Sequence, residues 1–408
     1  MVIVVGAGAA GIFAAWRAAQ CGHRVVLLEK TARIGTKILI SGGGKCNICH
    51  AGPIEDVLRA FRKNEALFLR PAMYRFSNEQ VVDLFTSRGL EVYTRPNGRI
   101  FPVDKTAKDV VAILDRVLRD AGVEVRVETP VLGLIIEDGR CLGVRLGSGE
   151  ELRGEAVILT VGGKSYPNSG TTGDGYPWVR AAGHTLVPIR AALAPMRTDP
   201  ARPELSGVSF RDCLLKARAG GKEIARWRDD LLMTHRGVSG PTVLGLSREC
   251  AEATGPVELL TDCRPDQSYE AVSEELVRWC QIHPKRTIKR WLEETVAASL
   301  VTELLRSAQV DGETLATNLG KKERNRLVEV TKNWPLGGVA EVILDKGEVV
   351  AGGVALDEVD PHTMRSRKCE RLFLAGEILD VAGPVGGYNL QAAFSTGWVA
   401  GDSVSKNP

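Results

Sequence analysis

The chain has 408 residues, which is enough for two or three domains of about 100–200 residues each. Its 44% hydrophobic and 25% charged residues are typical of a globular protein, and its net charge of +3 is too small to require a polyanionic partner. No run reaches the ~18 uninterrupted apolar residues of a membrane span, and the nine mostly scattered cysteines are typical of reduced thiols. We therefore expect a cytoplasmic protein with no membrane partner.

The first thirty residues predict a dinucleotide site. A short apolar run, a glycine motif, an Ala-rich helical stretch and a second apolar run follow one another. Gly6 would permit a tight turn, Gly8 would let a pyrophosphate approach the backbone, and Gly11 would let the helix pack closely against the strand. The free N–H groups at the helix N-terminus, near Ala9 and Ala10, would hold the diphosphate.

An acid stands at the tip of the second predicted strand. Glu29 follows Gly11 in the chain and can accept hydrogen bonds from a ribose. An acid at this position favours an unphosphorylated ribose, and therefore FAD or NAD over NADP. The first thirty residues leave the choice between FAD and NAD open.

A second glycine motif, SGGGKCN at 41–47, predicts an anion-binding loop. Three consecutive glycines suit neither a helix nor a strand, but their adjacent N–H groups can converge on one ligand. Cys46 and Cys49 form a C-x-x-C pair, for which zinc would need a second ligand pair that the sequence lacks. A redox dithiol stays open, and loop thiols without such a role are the favoured interpretation.

The middle of the chain first alternates between helical and strand-like segments. Residues 53–122 have mainly helical spacing, with a short hairpin near 90–101. Three strand-like runs follow, and a further buried strand ends at Thr160. This strand delivers Gly162 and Gly163, which makes its tip a second place where glycines could meet a ligand.

The sequence changes character near residue 187, where prolines begin to punctuate short alternating strands. The helical stretch that follows carries twelve Lys/Arg and eleven Asp/Glu between residues 264 and 332, so its basic clusters are balanced overall. Strands then return, and the last of them delivers Gly376 and Glu377. Gly387 precedes a final helix.

Four predicted strand tips, at Gly6, Glu29, Gly162 and Gly376, belong at one edge of a parallel sheet, where doubly wound folds bind ligands. The first three suit an adenosine half, whereas the last, with Glu377 and a helix N-terminus, suits the ribityl chain and pyrimidine end of a flavin. A domain for NAD alone has no need of this terminal unit, so FAD is favoured. The sequence has no second GxGxxG, so NAD(P)H would act as a transient electron donor.

Motifs along nearly the whole chain carry a family resemblance. They are GAGAAG, SGGGKCN, RIFP at 99–102, SYPNSGTTGDGY, THRGVSGP, AGGVALDEVDPHTM and GEILDVAGPVGGYNLQAAFSTGWVAG. By these motifs the chain resembles the YhiN-like or BaiN/RdsA-type FAD-dependent flavoproteins. It departs from their pattern at Lys45, at Cys49-His50 and at Arg236, where arginine, Thr-Asn and an aromatic residue are expected.

The resemblance implies an α/β fold with a Rossmann-like, glutathione-reductase-like FAD domain in two segments, 1–187 and 352–408. A β-barrel-like substrate domain (188–263 and 335–351) and a helical insert domain (264–334) would interrupt it. FAD would be held without a covalent link, and we expect a monomer.

The resemblance also implies site residues, carried over motif by motif, and no metal site. The candidate FAD contacts are Gly6, Gly8, Ala9, Ala10, Gly11, Glu29, Lys30, Lys37, Ser41, Gly42, Gly43, Gly44, Lys45, Cys46, Asn47, Val131, Thr160, Gly162, Gly163, Gly376, Glu377, Gly387, Tyr388, Asn389 and Leu390. Cys46 is the leading candidate proton donor, with Tyr388 and His235 behind it. The alternative roles are a flavin contact for Cys46, a turn for Tyr388 and a domain-interface position for His235.

Three activities are attached to the resembling family: dihydrouridine formation in large-subunit rRNA, reduction of a 3-oxo-Δ4 steroid, and aminoacetone oxidation. The first two share hydride delivery from reduced flavin to an enone-like C=C. The leading hypothesis is therefore reduction of a uracil in 23S rRNA. An FAD-dependent amine oxidase, a steroid-type reductase and a flavin-bound RNA-binding factor without turnover are the alternatives.

Overall fold

The computed structural model describes residues 1–404 and divides the chain into two compact units. The first unit, here the FAD unit, comprises Met1–Ala192 together with the chain from Leu344 onward. The second, here the barrel unit, comprises Leu193–Ile343. None of the helices within residues 1–404 is long and apolar enough to cross a membrane.

The strands and helices are numbered in chain order. The strands are β1 (Val2–Val5), β2 (Val25–Leu28), β3 (Cys49–His50), β4 (Val92–Thr94), β5 (Arg99–Pro102), β6 (Glu124–Arg126), β7 (Val131–Glu137), β8 (Arg140–Leu146), β9 (Glu151–Arg153), β10 (Ala156–Leu159), β11 (Leu186–Ala192), β12 (Met196–Asp199), β13 (Ser209–Ala219), β14 (Lys222–Thr234), β15 (Gly237–Ser239), β16 (Val257–Asp262), β17 (Trp334–Val342), β18 (Val349–Val354) and β19 (Leu372–Leu374). The helices are α1 (Ala9–Gln20), α2 (Thr36–Ile40), α3 (Ile54–Arg59), α4 (Lys63–Arg75), α5 (Asn78–Thr86), α6 (Ala107–Asp120), α7 (Gly175–Ala181), α8 (Pro241–Glu252), α9 (Tyr269–Ile282), α10 (Ile288–Thr295), α11 (Ala298–Ala308), α12 (Lys321–Lys332) and α13 (Tyr388–Ser403).

A five-stranded parallel sheet of order β19-β10-β1-β2-β6 organises the FAD unit. Every residue of β1, β2, β10 and β19 is buried, as their continuous apolar runs predict for a sheet covered on both faces. Val5 pairs with both Leu28 and Leu159, and Leu159 pairs with Leu374. The carboxyl ends of these four strands are therefore level with one another, and the segments that follow them emerge at one edge.

Helices α1 and α13 pack against each other beside this sheet. Phe13 stacks on Phe394 with ring centroids 4.4 Å apart. A Cβ on Gly397 would lie 2.1 Å from the carbonyl oxygen of Ala10, so only glycine permits this approach. The C-terminal helix is thereby fixed to the helix of the N-terminal glycine motif.

Smaller antiparallel elements complete the FAD unit. They are the sheets β3-β5-β4 and β7-β8-β9 and the pair β11-β18. Residues 188–192 and 344–351 belong to the FAD unit and not, as predicted, to the β-rich domain, because β11 and β18 pair with each other there.

A closed barrel of order β12-β15-β14-β13-β16-β17 forms the centre of the barrel unit. Phe210 stacks on Trp334, with ring centroids 5.5 Å apart, in a core to which α8–α12 contribute buried side chains. These helices and the barrel belong to one unit, Leu193–Ile343. The predicted class, a Rossmann-like α/β FAD fold interrupted by a barrel and helices, is confirmed.

Candidate functional site

The three glycines of the first turn have different surroundings. Gly6 has a φ of +95°, and a Cβ there would lie 2.7 Å from the carbonyl oxygen of Thr160. A Cβ on Gly11 would lie only 1.8 Å from the carbonyl oxygen of Gly6. A Cβ on Gly8 would meet no atom within 4 Å. Gly6 and Gly11 are therefore required by packing within the chain, whereas the space above Gly8 is open to a ligand.

The N-terminus of α1 opens onto the same space. Gly8 is its N-cap residue and provides no capping side chain, and the N–H of Ile12 donates to the Gly8 carbonyl at 3.0 Å. The N–H groups of Ala9, Ala10 and Gly11 precede that first helical bond. With the positive end of the helix dipole, they suit a diphosphate.

Glu29 is held at the tip of β2 by two backbone donors. Its Oε2 accepts from the Ala7 N–H at 2.9 Å, and its Oε1 accepts from the Thr31 N–H at 2.8 Å. Each carboxylate oxygen has a further lone pair for a ribose hydroxyl. The glycine turn and Glu29 are thus connected directly.

Lys30 is engaged by the loop before α7. Its Nζ donates to Thr172 Oγ1 and to Asp174 Oδ2, both at 2.5 Å. Burial would raise the pKa of Asp174, but the hydrogen bonds from Lys30 and Thr172 lower it overall. Lys30 therefore connects the tip of β2 to this loop. Val131, another of the predicted contacts, is buried at the start of β7.

A second polar cluster lies where α2 meets the segment after β19. Lys37 Nζ donates to Glu377 Oε2 at 2.7 Å and to Ser165 Oγ at 2.9 Å. The other carboxylate oxygen, Glu377 Oε1, accepts from the Val350 N–H at 2.9 Å. The cluster joins four separate parts of the FAD unit around one carboxylate.

Glycines bring the tips of β10 and β19 close to this carboxylate. A Cβ on Gly163 would lie 3.0 Å from Glu377 Oε1, and one on Gly162 would lie 3.7 Å from Glu377 Oε2. Gly376 has a φ of +76°, and a Cβ there would lie 2.7 Å from Ala10 Cβ. Larger residues would therefore push these backbones away from the cluster.

The loop Ser41–Gly44 is a distorted turn of 3-10 helix. The N–H of Cys46 donates to the Ser41 carbonyl at 3.0 Å, which closes the loop, and Lys45 is exposed. Its left-handed residues, with their φ angles, are Gly42 (56°), Gly43 (67°), Gly44 (85°) and Cys46 (61°). Such a succession turns neighbouring N–H groups toward one side, as an anion-binding loop requires.

Asn47 connects this loop to the start of α13. In the amide orientation that its neighbours favour, its oxygen accepts from the Gly387 N–H at 3.0 Å and its nitrogen donates to the Cys49 carbonyl at 3.2 Å. Asn389 exchanges two hydrogen bonds of 2.8 Å with the backbone of Gly383. These amides fix the N-terminus of α13 beside the loop.

The first turn of α13 presents an aromatic side chain and free backbone donors. Tyr388 stacks on His50 with ring centroids 4.7 Å apart and meets Phe61 edge-on at 6.1 Å. The N–H of Gln391 donates to the Gly387 carbonyl, so the N–H groups of Tyr388, Asn389 and Leu390 precede the first helical bond. This helix end suits negative charge on a ligand.

The predicted thiol donor lies inside the core. Cys46 is fully buried, and burial raises its pKa to about 11 although a hydrogen bond with Ser41 lowers it. Burial, with Cys46 nearby, raises the pKa of Cys49 to about 12. Both thiols are therefore protonated at neutral pH and enclosed by protein.

The other two predicted catalytic residues lie in different units. Burial raises the pKa of the half-buried Tyr388, and the charge of Arg99 opposes that effect. Tyr388 is close to Cys46 through the Asn47 bridge, whereas His235 is exposed in the barrel unit, just after β14. The FAD unit thus contains two of the three candidates, Cys46 and Tyr388, and the barrel unit contains the third.

Three residues at this end of the FAD unit were not among the predicted site residues. Ser165 accepts a hydrogen bond from Lys37. The charge of Arg99 acts on the carboxyl group of Glu348. Only Ser165 and Arg99 fall in recognised motifs, SYPNSG and RIFP, and no local pattern marks Glu348.

Together these features fit FAD. The open space above Gly8, the first helix N-terminus and Glu29 suit an adenosine diphosphate. The Glu377 cluster suits ribityl hydroxyls, and the N-terminus of α13 suits the pyrimidine side of a flavin. Carboxylate acceptors and amide and backbone donors are available for both halves, so no second nucleotide domain is needed to hold the cofactor.

Comparison with known proteins agrees with this geometry. Residues 1–403 match the family model described as the HI0933-like protein Rossmann domain. A ribosomal RNA dihydrouridine synthase of Haemophilus influenzae is 30% identical over 99% of this chain and 98% of its own length. A 3-dehydro-bile acid delta(4,6)-reductase of Clostridium scindens is 29% identical over 99% of both chains.

Among solved structures, 3-ketosteroid delta1-dehydrogenase from Sterolibacterium denitrificans superimposes with a TM-score of 0.55. The match covers 99% of this chain and 98% of that one at 16% identity, so it supports the fold alone. The resemblance to YhiN- and BaiN-type flavoproteins is confirmed by the family match and the full-length relatives. The chain belongs to the HI0933-like Rossmann family and is an FAD-dependent oxidoreductase.

Proposed function

We propose that this oxidoreductase reduces an enone-like C=C, and that its substrate is a uracil in 23S rRNA. The observation that carries the proposal is the pair of relatives that match over essentially their whole length, one named for dihydrouridine formation in ribosomal RNA and one for reduction of an unsaturated bile acid. Both names describe saturation of a C=C conjugated to a carbonyl group. The shared chemistry supports a reductase, and RNA is favoured as the substrate because two full-length relatives carry the name ribosomal RNA dihydrouridine synthase.

The cofactor, when bound and reduced, supplies a hydride. The chain must then place the C=C beside it, hold the carbonyl oxygen and provide a proton. In uracil the β-carbon, C6, would receive the hydride and the α-carbon, C5, would receive the proton, so the double bond becomes a CH₂–CH₂ unit. Acid catalysis of this kind contributes about 10²–10⁴-fold to a rate.

The residues at the two ends of the site have separate tasks in this proposal. Gly8, Glu29 and the N-terminus of α1 would hold the adenosine diphosphate. Glu377, held by Lys37, would bind the ribityl chain, and the N-terminus of α13 would stabilise negative charge on the pyrimidine side of the flavin. NAD(P)H would be the electron donor. Because it would dock only transiently, it would not require a second nucleotide domain.

The decisive experiment is mass mapping of 23S rRNA from cells with and without the gene. We expect one uridine to lose its dihydrouridine modification in the deletion strain and to regain it when the wild-type gene is restored. A Gly8→Ala gene should restore less modification than the wild type at equal protein levels. An unchanged dihydrouridine map in the deletion strain would refute RNA as the substrate.

A 3-oxo-Δ4 steroid or bile acid is the second candidate, favoured by the Clostridium scindens relative. Anaerobic mixing of the reduced protein with such a compound separates the two substrates. Rapid reoxidation of the flavin by the steroid, together with an unchanged rRNA map, would favour this candidate over RNA.

A further inference from the structure

The hairpin formed by β4 and β5 borders the flavin end of the FAD unit. Strand β5 pairs with β3, where Ile100 lies opposite Cys49. A Cβ on Gly42 would lie 3.1 Å from Phe101 Cε1, so the hairpin also touches the loop of residues 41–47. The proposed reaction uses none of the hairpin's side chains, although a substrate at the flavin end would lie close to them.

One face of this hairpin carries two aromatic residues and two arginines. Tyr93 lies directly opposite Phe101 in the register, and the Arg95 N–H donates to the Arg99 carbonyl at 2.9 Å where the strands meet the turn. Because side chains alternate between the faces of a strand, these four belong to the same face. Ile100 belongs to the opposite face and packs in the core of the FAD unit.

The aromatic rings and one arginine on this face contact each other. The rings of Tyr93 and Phe101 have centroids 6.1 Å apart and an angle of 29° between their planes. The guanidinium of Arg95 lies 4.2 Å from the centroid of the Phe101 ring, which attracts it. Phe101 is buried, whereas Tyr93 is 40% exposed. Tyr93 is therefore the ring on this face that a ligand can reach.

The cations around this face are available to an anion. Within residues 1–404, no carboxylate lies within ion-pair distance of Arg95, whose guanidinium is positioned by the Phe101 ring. Its N–H donors are therefore not occupied by an acid. Lys45, three residues after Gly42 in the adjoining loop, is exposed and also lacks an acidic partner in that part of the chain. An accessible ring beside unpaired cations suits an unstacked base and its phosphates.

We propose that this hairpin face binds the RNA strand next to the target uracil, with one base stacked on Tyr93 and a phosphate bound by Arg95. This inference rests on the proposed function. A base that reacts at the flavin end must first leave its stack in the RNA. Its neighbour then loses a stacking partner, and the exposed ring of Tyr93 replaces that partner. Stacking on an aromatic side chain tolerates any base, so the uracil itself is selected elsewhere in the site.

The test measures RNA binding separately from reduction. The FAD-bound protein is titrated into fluorescein-labelled single-stranded oligouridylate, and anisotropy gives the affinity. We expect Y93A to weaken binding about 5–100-fold and Y93F to bind like the wild type, because stacking needs the ring and not the hydroxyl. R95Q should reduce the slope of log affinity against log salt concentration by about 0.7, and R95K should retain that slope.

A second measurement follows one turnover of the photoreduced, FAD-bound protein with an unmodified 23S rRNA transcript. Y93A should need more RNA to reach half the maximal rate of flavin reoxidation, while the rate at saturating RNA should stay near that of the wild type. A residue that only maintains the fold would not change the RNA concentration dependence alone. FAD affinity should be unchanged in Y93A.

Tyr74 on α4 provides a matched control. It is a 46% exposed tyrosine with the guanidinium of Arg70 at 5.6 Å from its ring centroid, but its hydroxyl donates to Glu55 at 2.5 Å. The negative charge of Glu55 would repel a phosphate. Y74A should therefore bind oligouridylate and turn over the transcript like the wild type.

The outcomes separate the two proposals. If the transcript reoxidises the wild-type flavin and Y93A binds RNA as tightly as the wild type, the assignment of the hairpin is wrong while the proposed function stands. Equal losses in Y93A and Y74A, or the same loss in Y93A with a 3-oxo-Δ4 bile acid as with the transcript, would also overturn the assignment. If the transcript does not reoxidise the wild-type flavin, the proposed function is wrong and the hairpin has no target strand to hold.

Discussion

Substitution of two glycines in the first turn should separate cofactor binding from stability. An alanine at residue 8 would place its Cβ in open space, and the φ of −82° at Gly8 is allowed for alanine. An alanine at residue 11 would place its Cβ 1.8 Å from the Gly6 carbonyl oxygen, which forces the backbone apart. An added methyl group therefore fits at residue 8 but clashes with the backbone at residue 11, within one turn of helix.

The sizes of these effects follow from the surroundings. Gly8→Ala should lower the free energy of unfolding by about 1 kcal/mol or less, because glycine is preferred over alanine at an N-cap but no side-chain cap is lost. It should weaken FAD binding about 10–100-fold, because displacing the diphosphate costs about one charge-assisted hydrogen bond of roughly 1.5–3 kcal/mol. Gly11→Ala should destabilise the protein by about 3 kcal/mol, at the upper end of typical overpacking costs.

Two measurements check this reasoning. Urea unfolding of the flavin-free protein gives the stability of each variant, and quenching of flavin fluorescence gives its FAD affinity. We expect Gly8→Ala to lose at most about 1 kcal/mol of stability while binding FAD weakly. Wild-type FAD affinity in Gly8→Ala would refute the position of the diphosphate above Gly8, and wild-type stability in Gly11→Ala would refute the close contact with Gly6.

Three further predictions concern other parts of the molecule. Burial lowers the pKa of His184, although Glu358 opposes this effect. The contribution of neutral His184 to stability should therefore be complete above the unfolded pKa of about 6.5 and be lost as pH falls toward the lowered value. Urea unfolding at pH 7.5 and 5.5 should detect this loss of stability, and His184→Gln should reduce it. Asp402→Asn should lower the free energy of unfolding in urea by about 1–3 kcal/mol, because Asp402 pairs with Arg17 and Arg75 in a partly buried cluster. A loss no greater than that from breaking an exposed pair, such as Arg211–Asp230, would contradict this prediction. After photoreduction and admission of air, aminoacetone should not accelerate H₂O₂ release; rapid release would instead identify an amine oxidase.

The local patterns predicted the parallel sheet well. The continuous apolar runs at β1, β2 and β10, the glycine spacing and Glu29 are all within short stretches, so strand, turn and helix can be inferred from neighbouring residues. The final helix also follows from its sequence, since Gly387 precedes it and adopts a left-handed N-cap conformation, so that the helix begins at Tyr388.

Features that join distant parts of the chain could not be predicted in this way. The antiparallel pair β11-β18 joins Arg190 to Ala351, and no local signal specifies which strands will pair across such a distance. The enclosure of Cys46 and the meeting of Lys37, Arg99 and Glu348 depend likewise on tertiary packing. The resemblance supplied most of the flavin end but did not single out Ser165, to which Lys37 donates a hydrogen bond.

The order of strands in the parallel sheet has a consequence for biogenesis. β10 pairs on one side with β1 and on the other with β19, and α1 packs against α13. The barrel unit is synthesised completely before β19 and α13. At that stage the FAD unit still lacks one edge strand of its sheet and one helix. We therefore expect complete flavin binding only after residues 372–403 have emerged, because until then the sheet lacks its β19 edge and α1 lacks the packing that α13 provides.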